Sequence, residues 1–151
     1  MNNKTLIITL EYPPQIGGIA SYVYNFAKNF DVPIILTTKS KIALKNELNV
    51  YRQSLYWPIW PRWVGSLWYT LKISKKEKIK YIHIHHCFPI GYIGLILKKI
   101  FKIEYYIFFH GTDLKMATMS ILRRYKSKKI LKNAKNIIVN SEFLKTELLN
   151  K

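Results

Sequence analysis

Acidic residues are scarce in this 151-residue chain: eight Asp and Glu stand against 25 Lys and Arg, a formal charge of +17. Such an excess draws a protein toward phosphate-rich surfaces, whether nucleic acid or anionic lipid. The plain alternative is a lysine-rich composition spread over solvated helix faces. Cysteine is nearly absent too, and Cys87 alone excludes an intramolecular disulfide, which fits a reducing cytoplasm. No G-x-G-x-x-G and no Gly-Lys-Ser/Thr occurs, which excludes the dinucleotide fingerprint and the Walker loop. No signal-peptide pattern is expected, because only six largely apolar residues separate Lys4 from Glu11. The longest uncharged run, Tyr81 to Leu97, approaches a membrane span in length but holds three histidines, a proline and two glycines. It reads as a strand plus a helix, and no transmembrane segment is expected. Repeats, low-complexity tracts and linkers are likewise missing. Hydrophobic residues make up 49% of the chain, which argues against disorder and for one domain with a real core.

What is present alternates. Apolar, β-branched runs at 5–10, 32–38, 49–53, 80–85, 104–109 and 136–140 read as strands. Helical patterns fall at 19–30, 62–76, 89–101, 120–132 and 141–150. Strands that are solidly apolar, separated by helices, predict an α/β fold: a Rossmann-like parallel sheet with helices on both faces. Ligands of such sheets bind outside the C-terminal ends of the strands. The residues expected there are Glu11 to Gly18, His85 to Pro89, His110 to Asp113, and Ser141.

The stretch from Glu11 to Ala20 turns a strand into a helix through Pro13, Pro14, Gly17 and Gly18. Beyond it, Ile19, Tyr22, Val23, Phe26, Ala27 and Phe30 form one apolar stripe. Two glycines at a helix N-terminus let backbone N–H groups approach a ligand, and the dipole there favours an anion such as phosphate. A tight turn with no ligand is the simpler reading of the same residues. All four tryptophans, Trp57, Trp60, Trp63 and Trp68, lie just before Lys72, Lys75 and Lys76. Rings at headgroup level beside ammonium groups suit a membrane surface; an ordinary core-facing helix is the alternative.

His83, His85, His86 and Cys87 resemble a metal cluster, yet no second Cys/His group with ligand spacing exists, so no metal is expected. A strand-end imidazole bonding a polar ligand, or a satisfied buried ring, explains them better. His110-Gly111-Thr112-Asp113 also follows a strand, and a nearby carboxylate can orient an imidazole toward substrate. Alternatively, Asp113 is a helix N-cap and His110 a turn residue. Ser141 is expected to cap the last helix, with Glu142 at its positive end.

Four motifs occur in order: Pro13-Pro14-x-x-Gly17-Gly18-Ile19, Ile82-His83-Ile84-His85, His110-Gly111-x-Asp113, and Ala134-Lys135-Asn136-Ile137-Ile138-Val139-Asn140-Ser141. Together they resemble the N-terminal, acceptor-binding domain of family-4-type glycosyltransferases of the GT-B architecture, across residues 1–151. The resemblance implies a partner domain that holds a nucleotide-diphosphate sugar as co-substrate, with no further cofactor. It implies that Gly17 and Gly18 bind the donor diphosphate, that His110 and Asp113 are catalytic, and that Tyr12, His85 and His86 line the acceptor side. Transfer would retain anomeric configuration and need no metal. No pair among Glu11, Glu47, Glu77, Glu104, Glu142 and Glu147 has the eight-residue spacing of the family's donor domain. The donor-binding C-terminal domain is therefore expected to be absent from this chain and supplied separately. The leading expectation is a sugar transferase half that builds cell-surface polysaccharide or a lipid-linked glycan, peripheral on the inner face of the cytoplasmic membrane. The alternatives are an inactive fragment and a basic module for nucleic acid or anionic surfaces.

Overall fold

Burial of consecutive residues settles the layering of the sheet. In the computed structural model, which describes residues 4–40, 42 and 49–150, the strand Thr5–Ile8 (β1) buries Leu6, Ile7 and Ile8 completely. Successive strand side chains point to opposite faces, so complete burial of neighbours requires cover on both sides. The same holds for Ile34–Thr38 (β2), where Ile34, Ile35, Leu36 and Thr37 are all buried. Each such apolar side chain contributes about 1.5–3 kcal/mol relative to exposure.

The elements continue as Gly18–Ala27 (α1), Val50–Gln53 (β3), Val64–Glu77 (α2), Tyr81–Ile84 (β4), Gly91–Phe101 (α3) and Glu104–Phe109 (β5). Gly111–Thr118 (α4), Ile121–Asn133 (α5), Asn136–Val139 (β6) and Glu142–Leu149 (α6) complete the chain. The strands form a six-stranded sheet in the order β3-β2-β1-β4-β5-β6. The fold is the expected α/β, Rossmann-like parallel sheet, and all six strands lie within the segments that their apolar runs marked. The chain divides into two compact units, Met1–Ile82 and His83–Lys151.

In the first unit β2 pairs in parallel with β1 (Leu6 with Ile34) and with β3 (Ile35 with Val50). The core there gathers Ile7, Tyr12, Val23, Ala27 and Ile35, with Ile19, Tyr22, Phe26, Phe30 and Val50 against them. The apolar stripe of α1 thus meets the sheet as its spacing predicts. Helix α2 starts at Val64, two residues later than expected, and its buried face is Gly65, Ser66, Thr70, Ile73 and Ser74 rather than aromatic. Two of the three hydroxyls are satisfied locally, while Ser74 Oγ is buried with no partner among the described residues. Ser66 Oγ donates to the Leu55 carbonyl at 2.7 Å, and Thr70 Oγ1 donates to the Ser66 carbonyl at 2.7 Å. A Cβ on Gly65 would fall 2.4 Å from Trp57 Cδ1, so glycine is what lets that indole lie against α2.

In the second unit β5 pairs in parallel with β6 (Ile107 with Ile137). Helix α3 lies close on β5 because Gly94 has no side chain; a Cβ there would sit 2.5 Å from Tyr105 Cδ2. Tyr105 is fully buried and its hydroxyl donates to the Ile130 carbonyl of α5 at 2.6 Å. Ser120 and Ser141 cap α5 and α6, each Oγ accepting the N–H of the third residue on, Arg123 and Leu144, at 3.2 Å. Helix α4 is missing from the helical segments expected from sequence, which offer at most a helix cap at Asp113. It begins at Gly111, directly after the strand-end residue His110, with no loop between.

Candidate active site

The second unit brings two strand ends together through one carboxylate. Asp113, the third residue of α4, is only 3% exposed. Its Oδ1 accepts the Cys87 N–H at 2.9 Å and its Oδ2 accepts the His110 N–H at 2.8 Å. Cys87 follows β4 and His110 follows β5, so this side chain spans the C-terminal edge of the two strands. A carboxylate at the third helical position that accepts the N–H of the residue before the helix is half of a capping box. His110, not Asp113, is therefore the cap position of α4. Burial pushes the Asp113 carboxyl up to about 6, while the two N–H bonds pull it back down. The Cys87 thiol is buried as well and pushed up to about 12, so it is no nucleophile near neutral pH.

Three imidazoles line this edge. His85, His86 and His110 are buried. The His85 ring stacks on Phe108 at 4.2 Å between centroids and lies 5.7 Å from the His110 ring; His86 and His110 are 6.2 Å apart. His83, two residues earlier on the strand, sits against Tyr106 at 5.0 Å and Phe108 at 5.3 Å. Burial lowers the proton affinity of all four. His83 and His86 fall to about 4; His85 goes well below its ordinary value, with His110, His83 and His86 adding repulsion. His110 is lowered by the same desolvation. The cluster is thus uncharged at neutral pH, and each neutral ring has one donor and one acceptor nitrogen. Hydroxyl-rich ligands match that pattern, since a hydroxyl also donates and accepts. His86 Nε2 is buried with no hydrogen-bond partner among the described residues, a cost that a bound polar group would relieve. No group of three or more His, Cys, Asp or Glu among the described residues is arranged to hold a metal ion.

The first unit carries the glycine turn. Gly17 occupies the cap position of α1 with extended backbone, and Gly18 is its first helical residue. Neither glycine has a positive φ, so turn geometry does not demand them. A Cβ on Gly18 would meet nothing within 4 Å, which leaves the N-terminus of α1 open to an approaching group. The loop before it is braced. Tyr12 N–H bonds Gln15 Oε1 at 3.2 Å, Gln15 N–H bonds the Tyr12 carbonyl at 3.1 Å, and Arg52 of β3 donates to the Pro13 carbonyl. The Tyr12 ring is given over to the core, 6.2 Å from Tyr24, with the Arg52 guanidinium 5.8 Å from its centroid. Arg52 was not among the expected site residues. Its contact spans 39 residues and leaves no mark in local sequence.

The tryptophans and lysines of the first unit lie largely on the surface. Trp60 is 90% exposed and Trp68 47%; Trp57 and Trp63 are half-buried. Trp57 and Trp68 lie 6.1 Å apart, and Lys72 Nζ is 5.2 Å from the Trp68 ring. Lys72, Lys75 and Lys76 are exposed, and Lys76 Nζ bonds the Tyr51 hydroxyl at 3.2 Å. No helix among the described residues is long and apolar enough to cross a membrane.

The family description Glycosyltransferase Family 4 matches residues 16–151. The chain belongs to glycosyltransferase family 4. An uncharacterized glycosyltransferase of Methanocaldococcus jannaschii is 31% identical over 150 residues, which cover 96% of this chain and 42% of that protein. Sucrose-phosphate synthase from Thermosynechococcus elongatus has a similar fold, with a TM-score of 0.76 at 17% identity over 99% of this chain and 45% of that one. This family-4 chain therefore spans less than half the length of both relatives, and its fold is that of an N-terminal domain of the GT-B architecture.

Proposed function

We propose that this family-4 domain is the acceptor-side half of a retaining sugar transferase that uses a nucleotide-diphosphate sugar held by a second domain or subunit. The observation that carries this reading is the strand-end cluster of three neutral imidazoles, tied by Asp113 at the edge where α/β sheets bind their ligands. His110 approaches the transferring sugar; His85 and His86 hydrogen-bond acceptor hydroxyls; Asp113 positions the strand ends that carry them. Gly17 and Gly18 offer the N-terminus of α1 to the donor diphosphate, where backbone N–H groups and the dipole favour an anion. The acceptor is a lipid-linked glycan or a nascent polysaccharide, and the exposed Trp60 and Trp68 with Lys72, Lys75 and Lys76 hold the domain at an anionic membrane surface.

The test is reconstitution with the donor-binding half and transfer of a labelled sugar to a lipid-linked acceptor. His110→Ala should lower transfer by at least about 100-fold, in the range of a lost general or electrostatic catalyst. Gly18→Trp should abolish transfer while the melting temperature of the domain stays unchanged. Retained transfer in either variant would sink the corresponding assignment.

A further inference from the structure

The second unit holds an open cavity of about 690 Å³ that none of the chemistry above uses. It is lined by Tyr92, Leu95 and Ile96 of α3, by Lys98, Lys99 and Lys102 at the end of that helix, and by Glu104, Lys129 and Asn133. Glu104 opens β5 and His110 follows its last residue, Phe109, so the strand puts about 17 Å between the Glu104 end of this cavity and the imidazole edge. The volume lies in the range of small-molecule sites, roughly 300–1,000 Å³.

Four lysines against one glutamate leave three positive charges in excess along the cavity wall. Lys98 is already engaged, bonding Glu104 Oε2 at 3.1 Å and the Asn133 carbonyl at 3.0 Å. The ammonium groups of Lys99, Lys102 and Lys129 make no ion pair or hydrogen bond among the described residues, and all three residues are exposed. The helix C-terminus accounts for favouring lysines at 98 and 99, but not for Lys129 of another helix facing the same cavity. The lining is also graded. Tyr92, Leu95 and Ile96 occupy the early turns of α3 on the face that Lys99 and Lys102 continue, so the wall runs from apolar to cationic over about 15 Å of helix. A bare inorganic anion has no use for the apolar part, and a hydrophobe has none for the cationic part.

We propose that this cavity binds an anionic amphiphile, with the charged head on Lys99, Lys102 and Lys129 and the hydrocarbon along Tyr92, Leu95 and Ile96. The occupant is a phosphate-bearing lipid-like molecule whose charged head lies at the Glu104 end of the cavity, away from the imidazole edge. Binding needs no catalysis, so it stands or falls independently of the transferase reading.

Dodecyl phosphate, kept below its micelle concentration, is the probe, with titration calorimetry and amide chemical-shift mapping on the 151-residue chain. Expected is binding at least about tenfold tighter than that of dodecyl maltoside or inorganic phosphate, as charge-assisted bonds and apolar contact each contribute. Lys99→Glu with Lys129→Glu should weaken it at least tenfold, as should Ile96→Gln or, where that variant melts early, Leu95→Gln. Lys102 is left unchanged because its positive φ of 58° makes substitution there a backbone perturbation as well. Lys28→Glu with Lys39→Glu, two exposed positions of the first unit, should leave binding intact. Equal binding of the maltoside would reduce the site to an apolar groove, and equal binding of inorganic phosphate would leave an adventitious ion only. Either result overturns the proposal, as does indifference to the Lys99 and Lys129 changes or to the apolar ones.

Discussion

Asp113→Asn sets two effects of similar size against each other. The carboxylate accepts two backbone N–H groups, from Cys87 and His110. Asparagine has one acceptor oxygen, so one buried N–H faces an amide donor instead, at a cost of about 1–3 kcal/mol. Against this, burial raises the Asp113 pKa from 3.8 to about 6. A gap of about two units means that ionising Asp113 costs the fold about 3 kcal/mol at neutral pH, and the amide escapes that cost. The two largely offset each other at pH 7, so the variant should match wild type there within about 2 kcal/mol. The sign follows from a folded pKa above the unfolded one. The stabilising contribution of Asp113 is fully present below about 3.8 and is lost as pH rises through about 6. Wild type should therefore gain on Asp113→Asn by about 2 kcal/mol between pH 7 and pH 4. Urea denaturation of both proteins from pH 4 to 8 at constant ionic strength measures this, and the histidines, common to both, drop out of the difference. A difference that stays flat with pH would refute the picture of a desolvated carboxylate between two strand ends.

The histidines themselves should make the domain acid-sensitive. His83 and His86 have folded pKa values of about 4, below the ordinary 6.5, so their stabilising contribution is present above 6.5 and lost as pH falls through 4, about 3 kcal/mol each. NMR titration of the His86 ring should find a midpoint well below 6; a value near 6.5 would contradict its burial. Gly94→Ala should destabilise, because a Cβ 2.5 Å from the pinned Tyr105 ring brings an overpacking cost of about 1–3 kcal/mol that exceeds the roughly 1 kcal/mol gain in helix propensity. Gly18→Ala, with nothing within 4 Å, should leave the urea midpoint unchanged or slightly raised. Arg52→Ala should release the Pro13 carbonyl and speed hydrogen exchange of the Gln15 N–H severalfold, while unchanged protection would mean that the loop holds without it.

How much of this was legible in the sequence differs by element. The strands were readable because Leu6 to Ile8 and Ile34 to Leu36 are uninterrupted apolar runs, a pattern that only a doubly covered sheet sustains. The stripe of α1 was readable for the same reason. Helix α4 was not. It is short and mostly polar, it opens on Gly111, and its cap position is filled by His110, a poor cap signal beside the serines that cap α5 and α6. The inner face of α2 was hidden because Ser66, Thr70 and Ser74 are buried hydroxyl residues, with Ser66 bonding to Leu55 and Thr70 within the helix, so burial there does not follow hydrophobicity. Candidate site residues stood out one by one as strand-end histidines and helix-start glycines. Their links did not, since Asp113 reaches Cys87 across 26 residues and Arg52 reaches Pro13 across 39.

The Asp113 bridge has a consequence for how this site can change over time. It grips main-chain N–H groups at 87 and 110, which every residue except proline supplies, and touches neither position through chemistry peculiar to cysteine or histidine. The scaffold and the reagents at this edge are therefore inherited separately. Rings at 85 and 86 can be exchanged, and with them the hydroxyl pattern a ligand must present, without loosening the joint that holds the two strand ends in place. Variation among related chains should accordingly be wide at positions 85 and 86 and narrow at His110 and at the single carboxylate behind it.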